Sequence, residues 1–476
     1  MVRQFKPLSA GRTMTDENLN TLIEHSEDAP FLLSDQEIRD IINAVRAQDP
    51  DTVHAILGDL APVDIAELIA KVTDEDRREL LLMYGETMNP LVFAEMDSEL
   101  RRTTLSTLAA EQVAGIVSRL ESDDALGMVL DLDEQFRQEI IRKLSSKIRL
   151  AVEEGLSFPE KSAGRLMQRE VVAVPQFWTV GKTIDYLREA ANDLPDDFFD
   201  IFVIDPAYHV LGQIPLNRVI RSKRSVKMEA LVLDEIMTIP ATMDQEELAI
   251  IFRRDNITSA PVIDENQRLI GVVTIDDIVD VIEDEAEEDM MKMAGVDQGD
   301  MYRAVLSTTG TRFRWLFVNL LTAILASMVI SLFDATIEQI VALAVLMPIV
   351  ASMGGNAGTQ SLAVAVRALA TRELSGANTW RIIWKESLVG SLNGFAFAVL
   401  AGVITALWFG SPMLGVVIAA AMWINLIVAG FFGACIPIIL NKYGSDPAVS
   451  STVFLTMMTD VVGFFAFLGL AAVLLF

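Results

Sequence analysis

The sequence predicts a multidomain membrane protein with an α-helical N-terminal domain, a tandem pair of α/β modules, a connector helix and a five-helix transmembrane domain. Three observations predict this organisation. Five apolar segments of membrane-spanning length follow residue 312, and an internal repeat precedes them. Charge is also divided unevenly. Six acidic and six basic residues cancel in residues 313–476, so the whole formal net charge of -28 lies in residues 1–312.

The N-terminal region divides into a loose lead-in, residues 1–33, and a helical domain, residues 34–160. The lead-in has no apolar stretch of the kind that marks a cleavable signal peptide. Ser34 and Glu37 have the spacing of a capping box, and Ile38, Ile41 and Ile42 follow at helical spacing. Short turns separate further amphipathic stretches, which favours an α-solenoid or a small helical bundle.

An internal repeat occupies residues 161–283. The segment Val203–Ile220, VIDPAYHVLGQIPLNRVI, aligns with Val262–Ile282, VIDENQRLIGVVTIDDIVDVI. In each copy an apolar strand ends in Asp, a turn follows, a second strand begins near Gly and a helix closes the unit. Two β-α-β-β-α units in tandem resemble a pair of CBS modules, a resemblance that implies a sensor of nucleotides or ions.

A dense run of acids begins in the last helix of the second module and leads into residues 284–312, which we predict to be a connector helix. Helical spacing groups these acids on two faces. Such a density of negative charge is unfavourable unless cations screen it. A solvated acidic face explains the spacing equally well, but the position beside the membrane entry favours a cation site. The acids are Asp276, Asp277, Asp280, Glu283, Asp284, Glu285, Glu287, Glu288 and Asp289.

The transmembrane domain, residues 313–476, contains five segments that can each cross about 30 Å of hydrocarbon. The second contains Gly354, Gly355 and Gly358, which allow a break in the helix. If the chain crosses the membrane five times, the basic residues of its loops all lie on one side. The N-terminal domains are therefore expected in the cytoplasm and the C-terminus outside a cell membrane. The segments are approximately Phe313–Phe333, Ile337–Ala370, Trp384–Phe409, Leu414–Leu440 and Val449–Phe476.

Asp460 is the ionisable residue of the fifth segment. Such a residue in a span is a candidate functional site, because burying its charge in hydrocarbon is costly. We favour a role in an ion path. The alternative is an Asp that is hydrogen-bonded through Thr456 or Thr459.

The second segment contains the polar, glycine-rich stretch PIVASMGGNAGTQ, Pro348–Gln360. Its glycines permit close backbone approach, and its neutral oxygens suit a hydrated cation. Tight helix packing through small residues explains the stretch equally well. One carboxylate per chain with neutral oxygens suits Mg²⁺, which keeps several waters, although manganese, cobalt or calcium would also fit.

The order of domains, the stretch PIVASMGGNAGTQ with RALATRE, and DPAVSS…TDVVGFFAFLGL together resemble the MgtE family of magnesium channels. The resemblance implies a homodimer with a pore between subunits, in which Asp460 holds hydrated Mg²⁺ and Asp446 lies at the pore mouth. It further implies pore-lining candidates and a cytoplasmic magnesium sensor. The pore-lining candidates are Gly354, Gly355, Asn356, Gly358 and Gln360, and the sensor acids are Asp244, Glu246, Asp277, Asp280, Glu285, Glu288, Asp289 and, in the helical domain, Asp123. Asn256 departs from the family pattern, where a carboxylate is expected.

The predicted function is therefore Mg²⁺ import, closed by Mg²⁺ binding to the acidic cytoplasmic domains. The alternative is an adenine-nucleotide sensor, with ATP at the CBS pair, that regulates transport of Co²⁺ or Mn²⁺. No enzyme motif is recognisable, so an enzyme is not expected. Membrane lipid is the expected environment, and a half this acidic is not expected to bind nucleic acid.

Overall fold

The computed structural model describes residues 33–475. The exceptions within this range are residues 86, 192, 193, 196, 234, 235, 297, 298, 300, 301, 304, 375 and 376. The predicted lead-in thus lies outside the described residues, apart from Leu33. The chain divides into two compact units. The first comprises the described residues up to Met243 with Ser259–Thr274, and the second comprises Asp244–Thr258 with the residues from Ile275 onward.

The N-terminal domain is entirely helical in its described part. The predicted capping box is confirmed, because Glu37 N–H donates to Ser34 Oγ over 3.3 Å while Ser34 N–H donates to Glu37 Oε2 over 2.9 Å. The helices are α1 (Asp35–Arg46), α2 (Pro50–Leu57), α3 (Pro62–Lys71), α4 (Asp74–Tyr84), α5 (Leu91–Ala94), α6 (Ser98–Leu105), α7 (Ala110–Val117), α8 (Ser122–Asp131), α9 (Glu134–Lys143) and α10 (Ser146–Ser157).

Two arginines show that this domain repeats one structural unit. Arg77 of α4 donates through Nε to the carbonyl of Ile69 in α3, over 3.1 Å. Arg137 of α9 donates through Nε to the carbonyl of Val129 in α8, over 3.0 Å. In both cases the guanidinium satisfies carbonyls at the end of the preceding helix, which otherwise lack partners. The repeated arrangement agrees with the predicted stack of helix pairs.

The two α/β modules share one topology. In each, the first strand is parallel to the second, and the second is antiparallel to the third. The predicted turns follow Asp205 and Asp264, whose side chains accept backbone N–H groups two and four residues further on. The elements are α11 (Ala163–Leu166), β1 (Ala173–Pro175), α12 (Val180–Glu189), β2 (Asp200–Ile204), β3 (Val210–Pro215), α13 (Leu216–Ile220), β4 (Ile239–Pro240), α14 (Gln245–Asp255), β5 (Ser259–Ile263), β6 (Leu269–Thr274) and α15 (Ile275–Ala294).

The connector helix differs from the prediction of residues 284–312. It is the second half of α15, which begins at Ile275 and ends at Ala294. Gly295 follows with φ +71°, a left-handed conformation that ends helices and that glycine adopts without steric cost. The described residues between 295 and 304 are not helical.

The described residues of the remaining chain form five helices long and apolar enough to cross a membrane, as predicted. The glycine-rich second helix is not broken at Gly354, Gly355 or Gly358, because its backbone stays helical throughout and Gly354 and Gly358 pack against neighbouring helices. The break lies before it, at residues 340–341. The helices are α16 (Val305–Ser331), the short α17 (Asp334–Gln339), α18 (Ala342–Ala370), α19 (Thr379–Phe409), α20 (Pro412–Lys442) and α21 (Pro447–Leu474).

Candidate functional site

Four of the candidate sensor acids, Asp244, Glu246, Glu285 and Asp289, lie close together where α14 and α15 pack. Asp244 caps α14, since its Oδ1 accepts the N–H of Glu246 over 2.9 Å. Gln245 donates from Nε2 to Glu285 Oε1 of α15 over 2.6 Å. The side chains of Glu246 and Glu285 line one cavity. The face of α15 that carries Glu285 and Asp289 is thus brought together with the start of α14.

Among these acids, the pKa changes most at Glu246. Burial raises its pKa to about 7, and the charges of Glu285, Asp244 and Asp289 act in the same direction. Partial removal from water, followed by neighbouring carboxylates, also raises the pKa of Asp280 and Asp289. Clustered carboxylates that resist ionisation gain most when a cation arrives to compensate them.

Glu246, Glu285 and Asp289 line a cavity of ≈ 400 Å³ between α14, α15 and the C-terminal end of α18. Its walls combine carboxylates with apolar side chains and two arginines. They include Glu246, Glu285, Asp289, Met290, Met293, Val366, Arg253 and Arg367.

The end of α15 is held against the start of α21. The Nζ of Lys292 lies 2.8 Å from Asp446 Oδ2 and also pairs with Glu288. Partial burial works to lower the pKa of Lys292, but hydrogen bonds and charges from Asp446 and Glu288 outweigh it and raise that pKa. Thr452 Oγ1 of α21 donates to the carbonyl of Met293 over 3.1 Å. We call this set of contacts, made by Lys292 and Met293, the latch.

The latch contacts the N-terminal end of α21, the helix that carries Asp460. Asp446 is the N-cap of α21, and its Oδ1 accepts the N–H of Ala448 over 2.8 Å. Asp460 lies 14 residues further along the same helix, a rise of about 21 Å. Met293 packs against a buried cluster that Leu362 and Val366 of α18 form with Ala448 and Leu455 of α21. The connector therefore contacts both helices that carry the candidate pore residues.

The glycine-rich stretch of α18 divides into two faces. Gly354 and Gly358 are buried, and a Cβ at Gly358 would approach Leu455 of α21 to 2.9 Å. Asn356 and Gln360, one turn apart, are exposed in the single chain. Close packing and a polar surface, which the sequence left as alternatives, thus coexist on opposite sides of one helix. Gly355 is half-buried, with no atom near where its Cβ would be.

Asp460 is half-buried on α21. Thr456 donates its hydroxyl to the carbonyl of Thr452, and Thr459 donates to those of Leu455 and Thr456. Neither hydroxyl is available to Asp460, so the alternative of a threonine-bonded carboxylate is not realised here. Among the residues that the structure describes, no hydrogen bond or ion pair to Asp460 is found. Its carboxylate is thus able to face an ion.

Within the described part of the chain, no three Asp, Glu, His or Cys side chains converge closely enough to hold a bare metal ion. Mg²⁺ usually retains several waters and needs only one or two carboxylates.

Asp123 and Asn256 lie at the ends of helices. Asp123 lies in the first turn of α8, in the other compact unit, where its Oδ1 accepts the N–H of Asp124 over 2.9 Å. Asn256, the residue that departs from the family pattern, ends α14 with φ 51°. Asparagine tolerates this left-handed conformation well, which gives its presence a local reason.

Sequence reasoning missed three residues. Lys292 reaches Asp446 across 154 positions, which no local pattern reveals. Glu386 of α19 is buried within a span and accepts a hydrogen bond from Ser361 Oγ over 2.9 Å; its charge inside a predicted segment was a usable signal. Asn425 of α20 is fully buried, and a lone amide in an apolar segment was the signal there.

Comparisons with known proteins agree on one family. The family model MgtE, described as a divalent cation transporter, matches residues 347–470, the MgtE intracellular N domain matches 60–161, and the CBS domain matches 228–284. The magnesium transporter MgtE of Thermus thermophilus is 31% identical over 91% of this chain and 97% of its own length. That of Bacillus subtilis is 28% identical over 93% and 95%. A crystal structure of the cytosolic domain of the Mg²⁺ channel MgtE in complex with ATP covers 51% of this chain and 99% of its own, with 26% identity and a TM-score of 0.49.

Proposed function

Because this chain belongs to the MgtE family, we propose that it is a magnesium channel or transporter that imports Mg²⁺ and is closed by Mg²⁺ bound to its acidic cytoplasmic domains. It is a multi-pass membrane protein whose N-terminal domains lie in the cytoplasm, and we place its C-terminus outside. The membrane potential supplies about 4.6 kcal/mol for a divalent ion at 100 mV. That energy is sufficient to drive inflow without an enzymatic step.

The observation that carries this proposal is a polar surface on apolar helices. Asn356 and Gln360 of α18 are exposed in the single chain, and Thr456 of α21 is exposed one turn before Asp460. Polar and charged side chains avoid lipid and face water or protein. We therefore propose a homodimer in which these surfaces of two chains line a hydrated path, with Asp460 as its carboxylate.

Flux into liposomes tests this function directly. Purified protein should admit Mg²⁺, and raising Mg²⁺ on the cytoplasmic side should stop the flux. Competition by Co²⁺, Mn²⁺ and Ca²⁺ measures selectivity. Absence of any divalent flux from folded, reconstituted protein would overturn the proposal.

Closure follows from linkage between cation binding and conformation. Magnesium at Glu246, Glu285 and Asp289 offsets the repulsion that opposes packing of α14 on α15. It thereby favours the arrangement in which the latch holds α15 against α21. When free magnesium falls, the same acids repel one another, and the latch alone must hold the connector in place.

Replacing Lys292 with glutamine should make closure require more magnesium. The substitution removes the ion pair with Asp446 and leaves two carboxylates facing each other. We expect the free Mg²⁺ concentration for half-closure to rise by about three-fold, the scale of a partly exposed ion pair. Flux against cytoplasmic Mg²⁺ measures it. The control is Lys227→Gln, which breaks an exposed pair with Glu229 and should leave the concentration unchanged; an unchanged value for Lys292→Gln would remove the latch from the mechanism.

Adenine nucleotide at the CBS pair is a second, compatible proposal, supported by the matched topology of the two modules. Limited proteolysis of the full chain separates it from magnesium sensing. We expect Mg²⁺ alone to protect the connector around Ala294. Protection that requires ATP would instead favour nucleotide as the primary regulator.

A further inference from the structure

Asn425, on α20, is fully buried in the centre of the transmembrane helices. Its Nδ2 donates to the carbonyl of Val350 in α18 over 2.9 Å. Its Oδ1 has no hydrogen-bond partner among the described residues. Burying an amide oxygen without a partner is unfavourable. Stability alone would favour an apolar side chain of similar size here.

Two glycines on two other helices make room for this amide. A Cβ at Gly354 of α18 would lie 2.2 Å from Asn425 Nδ2, and a Cβ at Gly463 of α21 would lie 2.7 Å from the same atom. Real Cβ atoms do not approach so closely, so the amide fills the space between the two glycines. Asn425 is thus a spacer between α18 and α21.

The spacer lies at the level of the candidate ion path. Gly463 follows Asp460 by three residues, less than one turn of α21. Gly354 precedes Asn356 on α18 by two residues. Protein interiors are close-packed, so a change in the volume between two helices shifts their backbones rather than being absorbed locally.

We propose that Asn425 is a positioning residue for ion permeation, which sets the spacing of α18 and α21 and so the place of the Asp460 carboxylate opposite the polar face of α18. This inference rests on the proposed function. It adds a residue that does not itself face the path. It also explains why both contact points on α18 and α21 are glycine.

The test is a double-mutant cycle in reconstituted protein. Gly463→Ala introduces the methyl group that clashes with the amide, and Asn425→Ala removes the amide. We expect Gly463→Ala to lower Mg²⁺ flux by about ten-fold and to change the ratio of Mg²⁺ to Co²⁺ flux. The double variant should recover most of the flux, because the clash is gone. The matched control is Gly469→Ala on the same helix, where the nearest atom lies 3.9 Å from the added Cβ.

The flux ratio separates positioning from loss of folded protein, since misfolding lowers both fluxes equally. Wild-type behaviour of Gly463→Ala would overturn the inference. So would a loss of flux that leaves the ratio unchanged and is not recovered by Asn425→Ala. If the wild-type protein carries no Mg²⁺ at all, the proposed function itself fails, and this outcome is seen before any variant is measured.

Discussion

Asp460→Ala is expected to abolish magnesium uptake. Asp460 is the acidic side chain of α21 within its span, and no described residue neutralises it or bonds to it. A divalent ion that crosses the bilayer loses its strongest attraction when this carboxylate is removed. We expect flux to fall by about 100-fold or more, the scale for deleting one electrostatic group from a water-poor site.

The measurement is Mg²⁺ flux into liposomes that contain equal amounts of folded protein. Asp334→Ala is the matched control, because Asp334 lies exposed in the short helix α17, outside the long apolar helices, and should change flux by less than about two-fold. Asp460→Asn keeps the size of the side chain and removes its charge. This variant should also be inactive. Near-normal uptake by Asp460→Ala would remove Asp460 from the ion path.

Neutralising four acids of α15 together should give a protein that magnesium no longer closes. The combined change replaces Asp277, Asp280, Glu285 and Glu288 by their amides. Without these charges, cations gain little by binding the packed arrangement, so they lose their preference for the closed state. A ligand with equal affinity for both states shifts no population. We expect flux at high cytoplasmic Mg²⁺ to equal flux at low Mg²⁺.

A matched variant controls for net charge. Amides at four exposed acids of the first unit, Asp51, Asp59, Glu160 and Glu265, change the total charge by the same amount without touching α15. That variant should still close. If both variants fail to close, closure depends on overall charge rather than on this cluster. Full closure of the α15 variant would remove the cluster from the mechanism.

Most features of the fold that could be predicted depend on residues that are near one another in the sequence. The length and apolar character of the segments predicted five spanning helices, because a helix must satisfy its own backbone in lipid. The spacing of Ser34 and Glu37 predicted the capping box, and the repeat around Asp205 and Asp264 predicted both turns. Each of these depends on residues close together in the chain.

Two features of the fold depended on a choice between local alternatives. Glycines at 354, 355 and 358 permit a break, yet packing against α20 and α21 keeps α18 helical. The run of acids predicted a connector helix that continues to residue 312, whereas the helix ends at Ala294, before Gly295. Composition cannot decide such cases, since a glycine permits both a helix and its end.

The sequence alone was sufficient to determine the five apolar helices, the repeated modules, the uneven charge and the position of Asp460 within an apolar segment. Only the tertiary structure decided that Lys292 meets Asp446, that Glu246 meets Glu285, and that Asn425 fills the gap between Gly354 and Gly463. Each of these contacts joins residues on different helices. Periodicity describes which face of a helix is apolar, but the partner of that face depends on how the helices pack.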